Sequence, residues 1–130
     1  MPQFRIGEAA TLLGVSDDTL RRWVESGRLK ATTNDTGRLV VEGRQLADLA
    51  VELARTPPDD AAGHGSARNR LVGLVTGIRM DSVMAQVEMQ AGPHRIVALV
   101  SRDAVDELGL EVGARAVAVV KATNVTVEVP

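Results

Sequence analysis

Residues 56–65 divide this chain into two stretches whose apolar residues repeat with different periods, and no single regular architecture accommodates both. The dividing stretch reads Thr56-Pro57-Pro58-Asp59-Asp60-Ala61-Ala62-Gly63-His64-Gly65. Its proline, glycine and acidic residues replace any apolar repeat, which is the composition of a linker. Before it the spacing is helical; after it the spacing mostly alternates. A chain of 130 residues ordinarily makes one domain, but it suffices for two very small ones when each has a partner's support. We therefore expect an α+β protein with one domain over residues 1–56, a linker over 57–65 and a second domain over 66–130.

In the first stretch Ile6, Ala9, Ala10 and Leu13 form the i, i+3, i+4, i+7 stripe of a helix packed on one face, and Gly14 is placed to end it. Ser16 is a good N-cap for a second helix, and Asp17 and Asp18 put negative charge at its positive end. Leu20, Trp23 and Val24 make its buried face, and Gly27 stops it. Residues 29–41, with Asn34-Asp35-Thr36-Gly37 in their middle, read as two short strands around a turn. A third helix follows from about Gly43 to Arg55, with Leu46, Leu49, Ala50 and Leu53 inward.

Two helices joined by a tight turn, then a hairpin, then a helix, is the element order of a winged helix-turn-helix, whose second helix enters the major groove of DNA. The second helix and its N-cap present Ser16, Thr19, Arg21, Arg22 and Glu25, while Arg28, Lys30 and Arg38 lie on the turn and wing. Arg and Lys there pair with phosphates, and Arg reads guanine edges; taken singly, each is equally a solvated surface charge. The segments Ile6-Gly7-Glu8-Ala9-Ala10, Leu13-Gly14-Val15-Ser16, Thr19-Leu20-Arg21-Arg22-Trp23 and Gly27-Arg28-Leu29 strongly resemble the MerR/excisionase-type winged-helix family over roughly residues 4–55. The resemblance implies DNA binding through Thr19, Arg21, Arg22 and Arg38. Arg5 stands where that family has a Ser or Thr cap, at a typical cost of about 1 kcal/mol. The long dimerising helix of many MerR proteins is absent, so pairing on DNA falls to the other domain.

In the second stretch Val83, Ala85, Val87 and Met89 alternate with Ser82, Met84, Gln86 and Glu88, as in a half-buried strand. Residues 71–78, 95–100, 114–120 and 125–129 read as further strands, and Ser101 caps a short helix over 102–108 that Gly109 ends. Five strands and one short helix make a small barrel, which buries too little surface to stand without oligomerising. Two segments offer a cation, a hydroxyl and backbone amides in a tight bend: Ser66-Ala67-Arg68-Asn69 and Lys121-Ala122-Thr123-Asn124. That set suits an anion held in a backbone nest, although a solvated loop and a strand-end lysine explain each segment alone.

These two segments, together with Gly73, Val97-Ala98-Leu99-Val100-Ser101, Leu108-Gly109-Leu110, Val112-Gly113 and Ala118-Val119-Val120, closely resemble the molbindin (Mop/TOBE) domain across residues 66–130. The resemblance implies an OB-like five-stranded β-barrel that assembles into homo-oligomers, with molybdate or tungstate in the subunit interfaces. Carried over residue by residue, Ser66, Arg68, Lys121 and Thr123 supply side-chain donors or charge, Ala67 and Ala122 supply backbone N–H groups, and Asn69 completes the first segment. Ser101 is a further candidate that helix capping explains equally well.

Composition removes other classes. The chain has no cysteine, which excludes disulfides and thiolate chemistry. Neither His64 nor His94 has a second ligand at helical or strand spacing, and no acid/base pair or phosphate loop stands out, so catalysis is not expected. No secretory signal and no apolar run of about 20 residues is visible, which suggests a cytoplasmic protein off the membrane. Residues 1–56 hold eight Lys/Arg against eight Asp/Glu, so DNA binding requires a local basic face. The expected function is a molybdate-responsive DNA-binding regulator; the alternative is a molybdate store whose N-terminal domain is an interaction module.

Overall fold

A computed structural model of the chain describes residues 2–55 and 57–130; Thr56, at the expected domain boundary, and Met1 lie outside the described residues. The chain divides into two compact units, Met1–Arg55 and Thr56–Pro130, each with its own apolar cluster.

The first unit runs β1 (Gln3–Arg5), α1 (Ile6–Leu13), α2 (Asp17–Glu25), β2 (Ala31–Thr33), β3 (Leu39–Glu42) and α3 (Gly43–Leu53). The helical stripe read from α1 is the one that is buried, through Ile6, Ala9 and Ala10, and these meet Leu20 of α2 and Leu46 and Leu49 of α3. Gly14 ends α1 with φ of 70°, a left-handed conformation that a side chain resists. Ser16 caps α2, its hydroxyl accepting from Thr19 N at 3.1 Å. At the α1 start, Arg5 supplies no cap, but the Glu8 carboxylate accepts from Arg5 N at 3.2 Å, restoring half of a capping box.

Strand β1 was not anticipated, because three residues are too few to show alternation. It lies antiparallel to β3, with Phe4 opposite Val41, in a sheet ordered β1-β3-β2. The β2–β3 turn is held by one side chain. Asn34 Oδ1 accepts from Thr36 N, Thr36 Oγ1 and Arg38 N at 3.1, 2.8 and 2.9 Å, as an Asx turn does.

The second unit runs β4 (Asn69–Met80), β5 (Met84–Ala91), β6 (His94–Ser101), α4 (Arg102–Leu108), β7 (Arg115–Val120) and a single 3-10 turn (Ala122–Asn124). Its strands form one antiparallel sheet ordered β6-β5-β4-β7. The alternation read in β5 holds for Ala85, Val87 and Met89, which are buried with Val75 and with Val105 of α4; Val83, read on the same face, precedes the strand in the Asp81 turn and is exposed. Ser101 is the α4 cap, accepting from Ala104 N at 3.1 Å, which accounts for its hydroxyl without a ligand. Strand β4 bends through a bulge between Val75 and Gly77.

The sheet has four strands, not the expected five. Residues 125–129 have the alternating valines of a strand, but they follow the 3-10 turn at Ala122–Asn124, and among the described residues no strand pairs with them. Val127 and Val129 are 90% and 93% exposed. The stretch with the composition of a linker makes contacts of its own. Asp59 and Arg70 form an ion pair at 2.6 Å, and Arg115 donates to the carbonyl oxygen of Pro58, so this irregular backbone is fastened to the sheet. Its composition excludes a helix or strand; it does not exclude attachment.

Gly73 is required by close approach: a Cβ there would lie 2.3 Å from the Gln90 carbonyl oxygen. We expect Gly73→Ala to destabilise the second unit by about 1–3 kcal/mol through overpacking, seen as a lower thermal midpoint by circular dichroism. Acid should act on the same unit. The Arg70 guanidinium holds the Asp59 carboxyl below the ordinary carboxylate range, and the N–H groups of Met84 and Val83 do the same for Asp81. A carboxylate with a depressed folded-state pKa contributes stability above its unfolded value and loses it as pH falls through the folded one. The thermal midpoint should therefore hold down to about pH 4 and fall below it, with a shallower fall in Asp59→Asn.

Candidate functional site

Two segments far apart in sequence meet at one end of the β4–β7 ladder. The register pairs Asn69 with Val120, Arg70 with Val119 and so on to Leu74 with Arg115. Arg68 therefore enters the ladder at the point where Lys121 leaves it. The meeting is reinforced by a side chain: Asn69 Nδ2 donates to the Val120 carbonyl oxygen at 3.1 Å. Asn69, expected as a ligand, thus has one amide hydrogen engaged in joining the two segments.

Beyond the ladder the chain makes its 3-10 turn, closed by Asn124 N donating to Lys121 O at 2.9 Å and Val125 N donating to Ala122 O at 3.3 Å. The N–H groups of Ala122 and Thr123 precede these closing bonds and have no partner inside the turn. On the other side, Arg68 Nη1 donates to the Gly65 carbonyl oxygen at 3.0 Å, folding the guanidinium back over its own bend. Ser66, Arg68, Lys121, Ala122 and Thr123 are exposed and Ala67 is half-buried. The strand ends thus collect a guanidinium, an ammonium, two hydroxyls and turn amides, which is chemistry for a multiply charged oxyanion. One chain alone leaves this group open to water.

In the first unit, Ser16 Oγ lies 3.0 Å from Thr19 Oγ1, to which Arg22 Nη2 donates at 3.2 Å. These three side chains form one network along the start of α2. Arg21 is exposed beside it, and Arg38 is exposed at the end of the Asn34 turn. Lys30 is exposed as well, while its backbone N–H donates to Gln45 Oε1 at 3.0 Å and ties the start of the hairpin to α3.

Arg28 differs from the others. Its guanidinium lies 5.3 Å from the centre of the Trp23 ring and 3.2 Å from the Glu52 carboxylate. Its charge is matched inside the unit, joining the end of α2 to α3. Sequence reasoning missed that partnership, which spans 24 positions, and also missed the Asp59–Arg70 pair. No spacing rule reaches either. Among the described residues no group of three or more His, Cys, Asp or Glu could hold a metal ion, and no helix is long and apolar enough to cross a membrane.

Comparison with known proteins matches both halves. Residues 65–127 match the family model of the TOBE domain, and residues 5–38 that of the MerR family regulatory proteins. Molybdenum-pterin-binding protein 2 of Clostridium pasteurianum is 44% identical over 63 residues, covering 48% of this chain and 93% of that protein. A probable molybdenum-pterin-binding protein of Haemophilus influenzae is 48% identical over 65 residues, covering 49% of this chain and 94% of its own length. Among solved structures, the molybdate-bound form of the cytoplasmic molybdate-binding protein ModG is similar at 44% identity with a TM-score of 0.50, over 55% of this chain and 52% of that one. The strand ends that gather Arg68 and Lys121 fall inside the matched segment, and the chain belongs, through residues 65–127, to the TOBE (molbindin) family, with a MerR-family segment ahead of it.

Proposed function

We propose that this protein is a molybdate-responsive DNA-binding regulator. The observation that carries the oxyanion half is the register of Asn69 with Val120, which brings Ser66–Arg68 and Lys121–Thr123 to one strand end. A tetrahedral dianion loses much hydration on binding and needs converging charged donors in return. Those segments supply them, and relatives named for molybdenum and molybdate binding share this half of the chain. Tungstate, of the same charge and shape, is the alternative guest. The reading is one of binding, not catalysis, in the cytoplasm.

The site is open on its outer side, and the unpaired valines of residues 125–129 are exposed nearby in sequence. A second copy of the chain answers both. Its sheet edge gives those residues a strand to pair with, and its approach screens the guest from water. We therefore propose homo-oligomers joined through the C-terminal units, with the oxyanion at the subunit interfaces.

For the N-terminal unit we propose a winged helix-turn-helix with α2 as the reading helix and the β2–β3 turn as the wing. The MerR-family match over residues 5–38 and the side-chain network at Ser16, Thr19 and Arg22 favour it. Arg21 and Arg22 face the groove, with Lys30 and Arg38 towards phosphate; Arg28 acts by bracing α2 through Glu52. An oxyanion that binds one oligomer arrangement better than another shifts the spacing of the reading helices, and with it DNA affinity. The charge balance of residues 1–56 favours a second reading, a molybdate store with an N-terminal interaction module.

Arg68→Ala and Lys121→Ala should each weaken molybdate binding by about 10- to 100-fold, the loss of one charge-assisted hydrogen bond, with the far-ultraviolet spectrum unchanged; calorimetry showing full affinity in both variants rejects the site. Arg21→Ala should weaken binding to the protein's own upstream DNA by about 1–3 kcal/mol and leave molybdate affinity intact. Fluorescence titration at low salt that finds no sequence preference, with or without molybdate, favours the store.

A further inference from the structure

We infer that Asp59 and Arg70 are positioning residues for the oxyanion segment: their ion pair closes residues 60–68 into a loop that presents Ser66, Ala67 and Arg68 at the strand end. This rests on the oxyanion reading of that segment, and it adds Asp59, which lies ahead of the family match that begins at residue 65.

The pair is two-pronged. Arg70 Nε donates to Asp59 Oδ2 at 2.6 Å and Arg70 Nη2 donates to Asp59 Oδ1 at 3.1 Å. Its side chains are 20% and 14% exposed, against 40% and 66% for Arg28–Glu52 and 61% and 30% for Arg95–Glu88. It is therefore the most shielded of the ion pairs described, with the geometry in which an ion pair near a surface matters. Around it the backbone is also fastened. Ala61 N donates to Asp59 Oδ1 and Ala62 N to Asp59 O, each at 3.2 Å, and Arg115 of β7 donates to the Pro58 carbonyl oxygen.

The consequence for residues 60–68 is topological. Their far end enters β4 at Asn69, whose partner is Val120, and their near end is fixed by Asp59 to Arg70, the next residue along β4. Both ends of the loop are thus held at adjacent positions of one strand. A loop closed in advance loses less conformational freedom when a guest orders it, which raises affinity without touching the guest. Arg70 itself has two of its donors turned towards the Asp59 carboxylate, which sets it apart from Arg68, whose guanidinium meets only a carbonyl oxygen.

Electrostatics alone makes the opposite forecast for Asp59. Removing a carboxylate near an anion site lowers repulsion and frees Arg70, so Asp59→Asn would tighten binding if charge were all that mattered. The clamp predicts weaker binding. Tungstate is titrated calorimetrically into the full-length protein, into Asp59→Asn, into Arg70→Gln, and into the charge-swapped double variant Asp59→Arg with Arg70→Asp, and amide exchange is followed on each. We expect both single variants to bind tungstate roughly tenfold more weakly, about the cost of ordering a few side chains on binding. Amides of residues 60–68 should exchange faster in both, with β5 and β6 unchanged, and the double variant should recover both properties. Unchanged exchange over 60–68 in Asp59→Asn, or affinity equal to or tighter than that of the parent protein, overturns the clamp. If the parent protein takes up no tungstate or molybdate, the oxyanion reading falls instead, while the exchange data still decide whether the pair closes the loop.

Discussion

The antiparallel register between β4 and β7 is the constraint on which the rest of the second unit depends. Side chains alternate along a strand, so a slip of one residue would turn every inner side chain outward and move every strand-end residue out of place. With Leu71 opposite Ala118 and Gly73 opposite Ala116, the small residues lie on the concave side, while Arg70, Val72 and Val119 lie on the other. The same register sets which residues leave the ladder together. The apolar packing that fixes the core thus also sets Arg68 and Lys121 at the same end of the ladder, where the Asn69 amide and the Asp59–Arg70 pair act on a meeting already laid down.

Much of this was legible in the residues because periodicity reports local geometry. The stripe Ile6, Ala9, Ala10 and the alternation Ala85, Val87, Met89 are each the buried face of their element, and the caps at Ser16 and Ser101 are where their side chains suggest. The candidate oxyanion residues could be named as two segments, but their adjacency could not be read off: nothing local in Asn69 or Val120 states that they are partners. Residues 125–129 show the complementary limit. Alternating valines record a readiness to be a strand, whereas being one requires a neighbour, and among the described residues no strand pairs with them.

Charge was the least legible quantity. A count over residues 1–56 gives balance, and a glance at α2 and the hairpin gives a row of cations. Neither says which charges are already answered. Arg28 faces Trp23 and Glu52, while Arg21 is exposed beside the Ser16–Thr19–Arg22 network. The stretch before Ser66 teaches the same lesson: prolines, glycines and acids announce irregular backbone, and the guanidinium groups of Arg70 and Arg115 fasten it.

The bare backbone at Gly73 has one more implication. Where β4 passes so near the Gln90 carbonyl that not even a methyl group fits, and where Ala85, Ala114, Ala116 and Ala118 join Val75 and Val87 in filling the space beneath, the curl of the sheet is too tight to lodge a visitor. For this sheet, recognition falls to the rim, where strands run out of neighbours and their amides fall vacant.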